Sequence, residues 1–164
     1  MSIEIDPHIV SLAQSMDKTL HVSASQIAQV LADPDGLNLS ARQVAYALSA
    51  GNGLNLTPTA VAQALYDGLT VSASTVSQAL HDPNGMDLPI VSVARVLRQG
   101  LDLSPSEIAW ALYDMDGLNL DAGQVAFILY HALQLSAVQV AEALAKGAHL
   151  DDDSLILALQ ELRG

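Results

Sequence analysis

The stretch Leu37-Asn38-Leu39-Ser40-Ala41-Arg42-Gln43-Val44-Ala45-Tyr46-Ala47-Leu48 decides the fold. Ser40 is followed three residues later by Gln43, the pattern of a capping box, in which two side chains satisfy the free amides at a helix start. Leu39 before the cap and Val44 four residues after it form a hydrophobic staple across the first turn. With the cap as position zero, Val44, Ala45 and Leu48 stand at positions four, five and eight, which share one helical face.

Outward from this stretch the same run recurs along the whole chain. The segments 5–19, 20–36, 37–53, 54–68, 69–85, 86–100, 101–117, 118–132, 133–147 and 148–164 align on it, each 15 or 17 residues long. Taken in consecutive pairs they give five units of constant 32-residue length, 5–36, 37–68, 69–100, 101–132 and 133–164. That constancy makes the repeating unit a helix pair. Position zero is Ser23, Ser40, Thr57, Ser72, Ser104, Asp121, Ser136 or Asp151 in eight of the ten segments, all residues whose side-chain oxygen caps a helix N-terminus. Gln26, Gln43, Glu107, Gln124 and Gln139 complete capping boxes, and Pro58 and Pro105 fall where a helix accepts proline.

Position four is Leu12, Ile27, Val44, Val61, Val76, Val93, Ile108, Val125, Val140 and Leu155; position eight is Met16 and then leucine in every later segment. Alanine dominates position five, so neighbouring helices can approach closely. Gly36, Gly53, Gly68, Gly85, Gly100, Gly117 and Gly147 close their segments, where a left-handed glycine would end each helix. Helices of about ten residues do not hold alone in water. The pattern therefore predicts an all-α solenoid of ten short helices in five two-helix repeats, a single domain over 1–164 that buries its core by stacking. The competing architecture reads Leu-x-Leu as a short strand in a helix-plus-short-strand solenoid, since about five extended residues return the ~15 Å rise of such a helix.

Composition narrows the function. An apolar fraction of 51% excludes a disordered chain. The longest clean apolar stretch, Val125 to Tyr130, is too short to span a bilayer. No basic start with an apolar run follows Met1, and a cytoplasmic location is the default expectation. The absence of cysteine removes disulfides, thiolate metal sites and cysteine nucleophiles. Six basic residues against eighteen acidic ones, a net charge of −12, oppose nucleic-acid binding.

Positions six and nine point away from the apolar stripe. All six aromatic residues lie there: Tyr46, Tyr66, Trp110, Tyr113, Phe127 and Tyr130, together with Arg95, Arg98 and His81. Outward aromatic clusters mark contact surfaces, so these residues are the expected surface for a protein or peptide partner. Trp110 and Tyr113 stand one turn apart, and Phe127 and Tyr130 repeat the spacing on the next helix, so four rings converge if the two helices are neighbours. In the last segment Ile156 and Leu157 replace the usual alanine and polar residue. A terminal repeat should present a polar outer side, and these two residues are the expected self-association contact of a homodimer.

Two resemblances suggest an alternative. Leu69 to Leu80 is similar to the recognition-helix entry of LacI-type helix-turn-helix proteins, and Leu54 to Leu65 resembles the start of a TAL-effector repeat. They imply a helix-turn-helix-like nucleic-acid-binding repeat protein, although the basic flanks of both families and the variable loop pair of the second are missing. A further alternative is calcium response through Asp33-Pro34-Asp35-Gly36, Asp82-Pro83-Asn84-Gly85 and Asp114-Met115-Asp116-Gly117, where apolar residues fall at the ligand positions of an EF-hand. The same residues also make ordinary turns. The five histidines, 8, 21, 81, 131 and 149, are not paired at metal-binding spacing, and no nucleophile elbow, phosphate loop or dinucleotide fingerprint occurs. The chain is expected to be no enzyme and to need no cofactor or metal.

Overall fold

Hydroxyl and carboxylate side chains open nine of the ten helices of the computed structural model, which describes residues 5–51 and 53–163. In order these helices are α1 (Pro7–Leu20), α2 (Ala24–Ala32), α3 (Ala41–Ser49), α4 (Pro58–Gln63), α5 (Ala73–His81), α6 (Ile90–Gly100), α7 (Pro105–Tyr113), α8 (Ala122–Phe127), α9 (Ala137–Gly147) and α10 (Asp152–Gln160). π-Helical turns, Ala64–Gly68 and Ile128–Ala132, continue α4 and α8, and a 3-10 turn, Glu161–Arg163, follows α10. Both bonds of the capping box form in α2, α3, α7, α8 and α9, the five helices whose sequence carries the motif.

The start of α1 departs from the repeat. Asp6 caps it and Pro7 takes the first helical position, so this helix runs 14 residues. Val10, Ala13 and Met16 are its buried residues, whereas Leu12, expected in the core, is exposed. The reason is position in the stack: α1 packs on α2 and α3 and has no helix on its other side.

The helix ends hold the larger correction. No described glycine has a positive φ. The left-handed residue at each of the nine junctions is instead His21, Asn38, Asn55, Thr70, Asp87, Asp102, Asn119, Gln134 or His149. Each lies two residues before position zero and is the middle residue of Leu-x-Leu or its counterpart. Asn and Asp tolerate this region best among residues with a side chain, and they fill five of the nine sites. A left-handed residue breaks an extended run, so the strand alternative fails; no strand occurs among the described residues.

At six of the nine junctions the residue after the left-handed one donates its amide to the position-eight leucine of the preceding helix. Leu39 bonds Leu31, Leu56 bonds Leu48, Leu88 bonds Leu80, and Leu120 bonds Leu112, at 2.9–3.0 Å across the longer junctions. Leu103 bonds Leu97 at 3.3 Å and Leu135 bonds Leu129 at 3.2 Å across the shorter ones.

Packing follows chain order. Each helix contacts the next and the second next, so odd helices stack on odd and even on even. Several glycines serve this close approach. A Cβ on Gly68 would stand 2.6 Å from the Ser25 carbonyl oxygen of α2, and one on Gly100 would stand 2.9 Å from Thr59 Cγ2 of α4. A Cβ on Gly147 would strike the Ser106 carbonyl of α7. The position-eight leucines from Leu31 to Leu144 are fully buried, and with the alanines of positions five and seven they form one continuous core. Full burial of such a side chain contributes about 1.5–3 kcal/mol.

Polar bonds tie helices two apart. Arg42 Nη1 of α3 donates to Asp82 Oδ2 beyond α5 at 2.9 Å, and Ser74 Oγ of α5 donates to Asp114 Oδ2 beyond α7 at 2.8 Å. Gln63 Nε2 of α4 donates to the Gly100 carbonyl ending α6 at 3.0 Å. No helix among the described residues is long and apolar enough to cross a membrane.

Candidate functional site

The best-furnished groove lies along the outer side of α7, between the start of α5 and the end of α9. Its local geometry begins at the α7 cap. Ser104 N donates to Glu107 Oε2 at 2.8 Å, and Glu107 N donates to Ser104 Oγ at 3.3 Å. The Ser104 backbone amide, reinforced by its hydroxyl, holds the Glu107 carboxyl below the usual carboxylate range, so the groove keeps a fixed negative charge here.

One turn further on stands Trp110, 42% exposed. Its ring meets His149 edge-on, with centroids 5.9 Å apart and planes at 62°. The turn after α9 puts His149 there, because His149 is its left-handed residue. Tyr66, Leu103, Glu107, Trp110, Lys146 and His149 surround a cavity of about 350 Å³. It offers two broad rings, a titratable imidazole and one charge of each sign. Such a set can seat an apolar or aromatic side chain and orient a polar backbone beside it.

The four-ring convergence expected from Trp110, Tyr113, Phe127 and Tyr130 does not form. Phe127 and Tyr130 engage His131 instead, with centroids at 4.4 Å and 5.0 Å. Helices α7 and α8 belong to different rows and present position six to different sides. Phe127 overlooks a separate cavity of about 310 Å³ with Ile90, Leu120, Gln124, Ile128 and Glu161. Tyr46 is exposed on α3, while Tyr66 and Tyr113 are half-buried and pack against the core. The structure therefore brings together Trp110 and Tyr66 but leaves Tyr46, Phe127 and Tyr130 elsewhere.

The two arginines expected at a partner surface have partners inside the chain. Arg98 Nη1 donates to the Leu103 carbonyl at 2.9 Å, and Arg95 Nε reaches the Ala132 carbonyl at 3.5 Å. His81, at the same repeat position as Arg98, bonds the Leu88 carbonyl through Nδ1 at 2.8 Å, which requires the proton on that nitrogen. Polar residues at positions six and nine thus stitch one helix to the next or second next. Both arginines remain exposed, as do Ile156 and Leu157 on α10.

Sequence reasoning missed Lys146 and His149 as groove residues. The available signal was His149 itself, a ring at a junction position that Asn or Asp fills in five of the nine cases.

The aspartate loops have structural work. Asp33, Asp82 and Asp114 accept through Oδ1 from the amides of Asp35, Asn84 and Asp116, at 2.9, 2.8 and 3.3 Å. Asp82 also holds Arg42; partial burial pushes its carboxyl up, but the Arg42 guanidinium and the Asn84 amide outweigh it and leave it below the usual range. In α5, the helix resembling a recognition element, Ser74, Val76, Ser77, Ala79 and Leu80 are buried, and α3 and α7 flank it.

No protein family model matches the chain, and no match is found among curated proteins or solved structures.

Proposed function

We propose that the chain is a non-enzymatic interaction module that takes a protein or peptide segment into the Tyr66–Trp110–His149 groove. One observation supports this above the rest. Trp110, the single tryptophan of the chain, is left 42% exposed at a cavity although smaller alanines fill the core behind it. Tryptophan at the centre of a concave patch is the residue type most enriched among energetic anchors of interfaces. The net charge of −12 favours a basic segment and speeds its approach.

The test uses peptide-display selection on the whole protein, followed by titration of the selected synthetic peptides by isothermal titration calorimetry. Trp110→Ala should weaken binding of the selected sequences at least tenfold, equivalent to roughly 1.4 kcal/mol, as should Tyr66→Ala. Peptides that bind wild type and both variants equally well would place the interaction elsewhere.

A further inference from the structure

The packing rule inside the chain defines what its two ends are built to meet. Position five is fully buried in α1 through α8, as Ala13, Ala28, Ala45, Ala62, Ser77, Ala94, Ala109 and Ala126. It loses its cover only in α9, where Ala141 is half-buried, and in α10, where Ile156 is 54% exposed. These are the two helices with no helix two places later. Position five therefore faces the second-next helix, and the 3.1 Å from a Cβ on Gly147 of α9 to Ala109 Cβ of α7 agrees.

Position seven behaves in reverse. It is buried from α3 to α10, in Ala47, Ala64, Ala79, Val96, Ala111, Ile128, Ala143 and Ala158, and uncovered as Ser15 of α1 and Val30 of α2. Position seven thus faces the second-previous helix. One surface, position five with its flanks, meets a different surface, position seven with its flanks, at every step of the stack.

Both surfaces end the chain as apolar faces. The α9–α10 end shows Val138, Ile156 and Leu157, exposed by 68%, 54% and 64%. The α1–α2 end shows Leu12, Leu20 and Val30, exposed by 42%, 65% and 46%. These six make up almost half of the thirteen large apolar side chains that the described residues expose. Where interior helices carry alanine, or serine in α5, at position five, α10 carries isoleucine, which enlarges the contact instead of closing it.

We propose that the α9–α10 end of one copy docks on the α1–α2 end of another, continuing the stack between chains through the contact that already joins its units. The occupant of each end is a second copy, because each face is the complement that the other face meets within the chain. The contact is heterologous, and repeated head to tail it propagates instead of closing at a dimer. Each copy carries a net charge of −12, so association strengthens as salt screens the repulsion.

Sedimentation velocity on the whole protein, over a concentration series at low and high salt, tests this. Wild type should pass beyond twice the single-chain mass without a plateau, and more so at high salt. Val30→Asp and Ile156→Asp/Leu157→Asp should each remain at single-chain mass. An equimolar mixture of the two variants should stop at twice that mass, since one intact end of each kind remains. Circular dichroism melts verify that these surface variants fold. A monomeric wild type at every concentration and salt overturns the proposal. So does a plateau at twice the single-chain mass that survives Val30→Asp, which would mean α10 pairs with itself. Lys146 and His149 at the end of α9 line the Tyr66–Trp110–His149 groove, but Val30, Ile156 and Leu157 do not, so the peptide titration of these variants is a separate readout.

Discussion

At the scale of the residue, the left-handed position between helices is the most constrained site of the fold. Thr70 is the exception among its nine occupants, a β-branched residue at φ 51°. Its hydroxyl donates to the Leu69 carbonyl at 2.7 Å, a local bond on the exposed side of the turn. A β-branched side chain in this region is strained, at a cost of order 1 kcal/mol. Thr70→Asn should therefore raise the unfolding free energy by about 0.5–1 kcal/mol, measured by urea titration; a loss of stability would show that the hydroxyl bond outweighs the strain. The same site shows where sequence reading stops. Helix starts were legible because Ser40 with Gln43, or Ser104 with Glu107, is a local signature written in adjacent residues. The ends misled because Gly36 and Gly117 stand where a left-handed glycine is plausible, while Asn38 and Asn119 two residues later carry that conformation.

At the scale of the element, glycines at equivalent places do unequal work. Gly68 ends the π-turn of α4 against the Ser25 backbone, whereas a Cβ on Gly36 meets nothing nearer than 3.6 Å. Gly68→Ala must push α2 and α4 apart and should cost about 1–3 kcal/mol. Gly36→Ala should be neutral or gain up to about 1 kcal/mol through the lost freedom of the unfolded chain. Equal effects in parallel thermal melts would remove close approach as the reason for Gly68. The core stripe of each helix was readable from period alone. Which helix touches which was not, because positions five and seven are alanine in most helices and carry no direction in their chemistry. The division of Trp110 and Phe127 between separate grooves was hidden for the same reason.

At the scale of the whole molecule, stability is a sum over neighbours. The central helices α5 and α6 have a helix two places away on either side, and α1, α2, α9 and α10 have one on a single side only. Units of this kind unfold from their less supported ends. Hydrogen exchange should reach the amides of α1 and α10 first and those of α5 and α6 last. Uniform exchange across all ten helices would mean that the chain opens in a single step. At protein concentrations where copies stack, protection at the two ends should rise toward that of the interior. The groove of Trp110, between α7 and the end of α9, lies in the second half of this gradient, so a bound segment would also brace α9.

The junction hydrogen bond carries one more implication. Leu39 reaches Leu31 across eight residues and Leu103 reaches Leu97 across six, yet both land on the same carbonyl of the repeat. The spacing of successive helices is thus set by an anchor, and the chain between the anchors is slack that can be let out. Residues 33–36, 82–85 and 114–117 are where such slack already exists. Evolution, or a protein engineer, could splice a longer insert at these points and hang a new loop on the outside while the pitch of the helices stayed as it was.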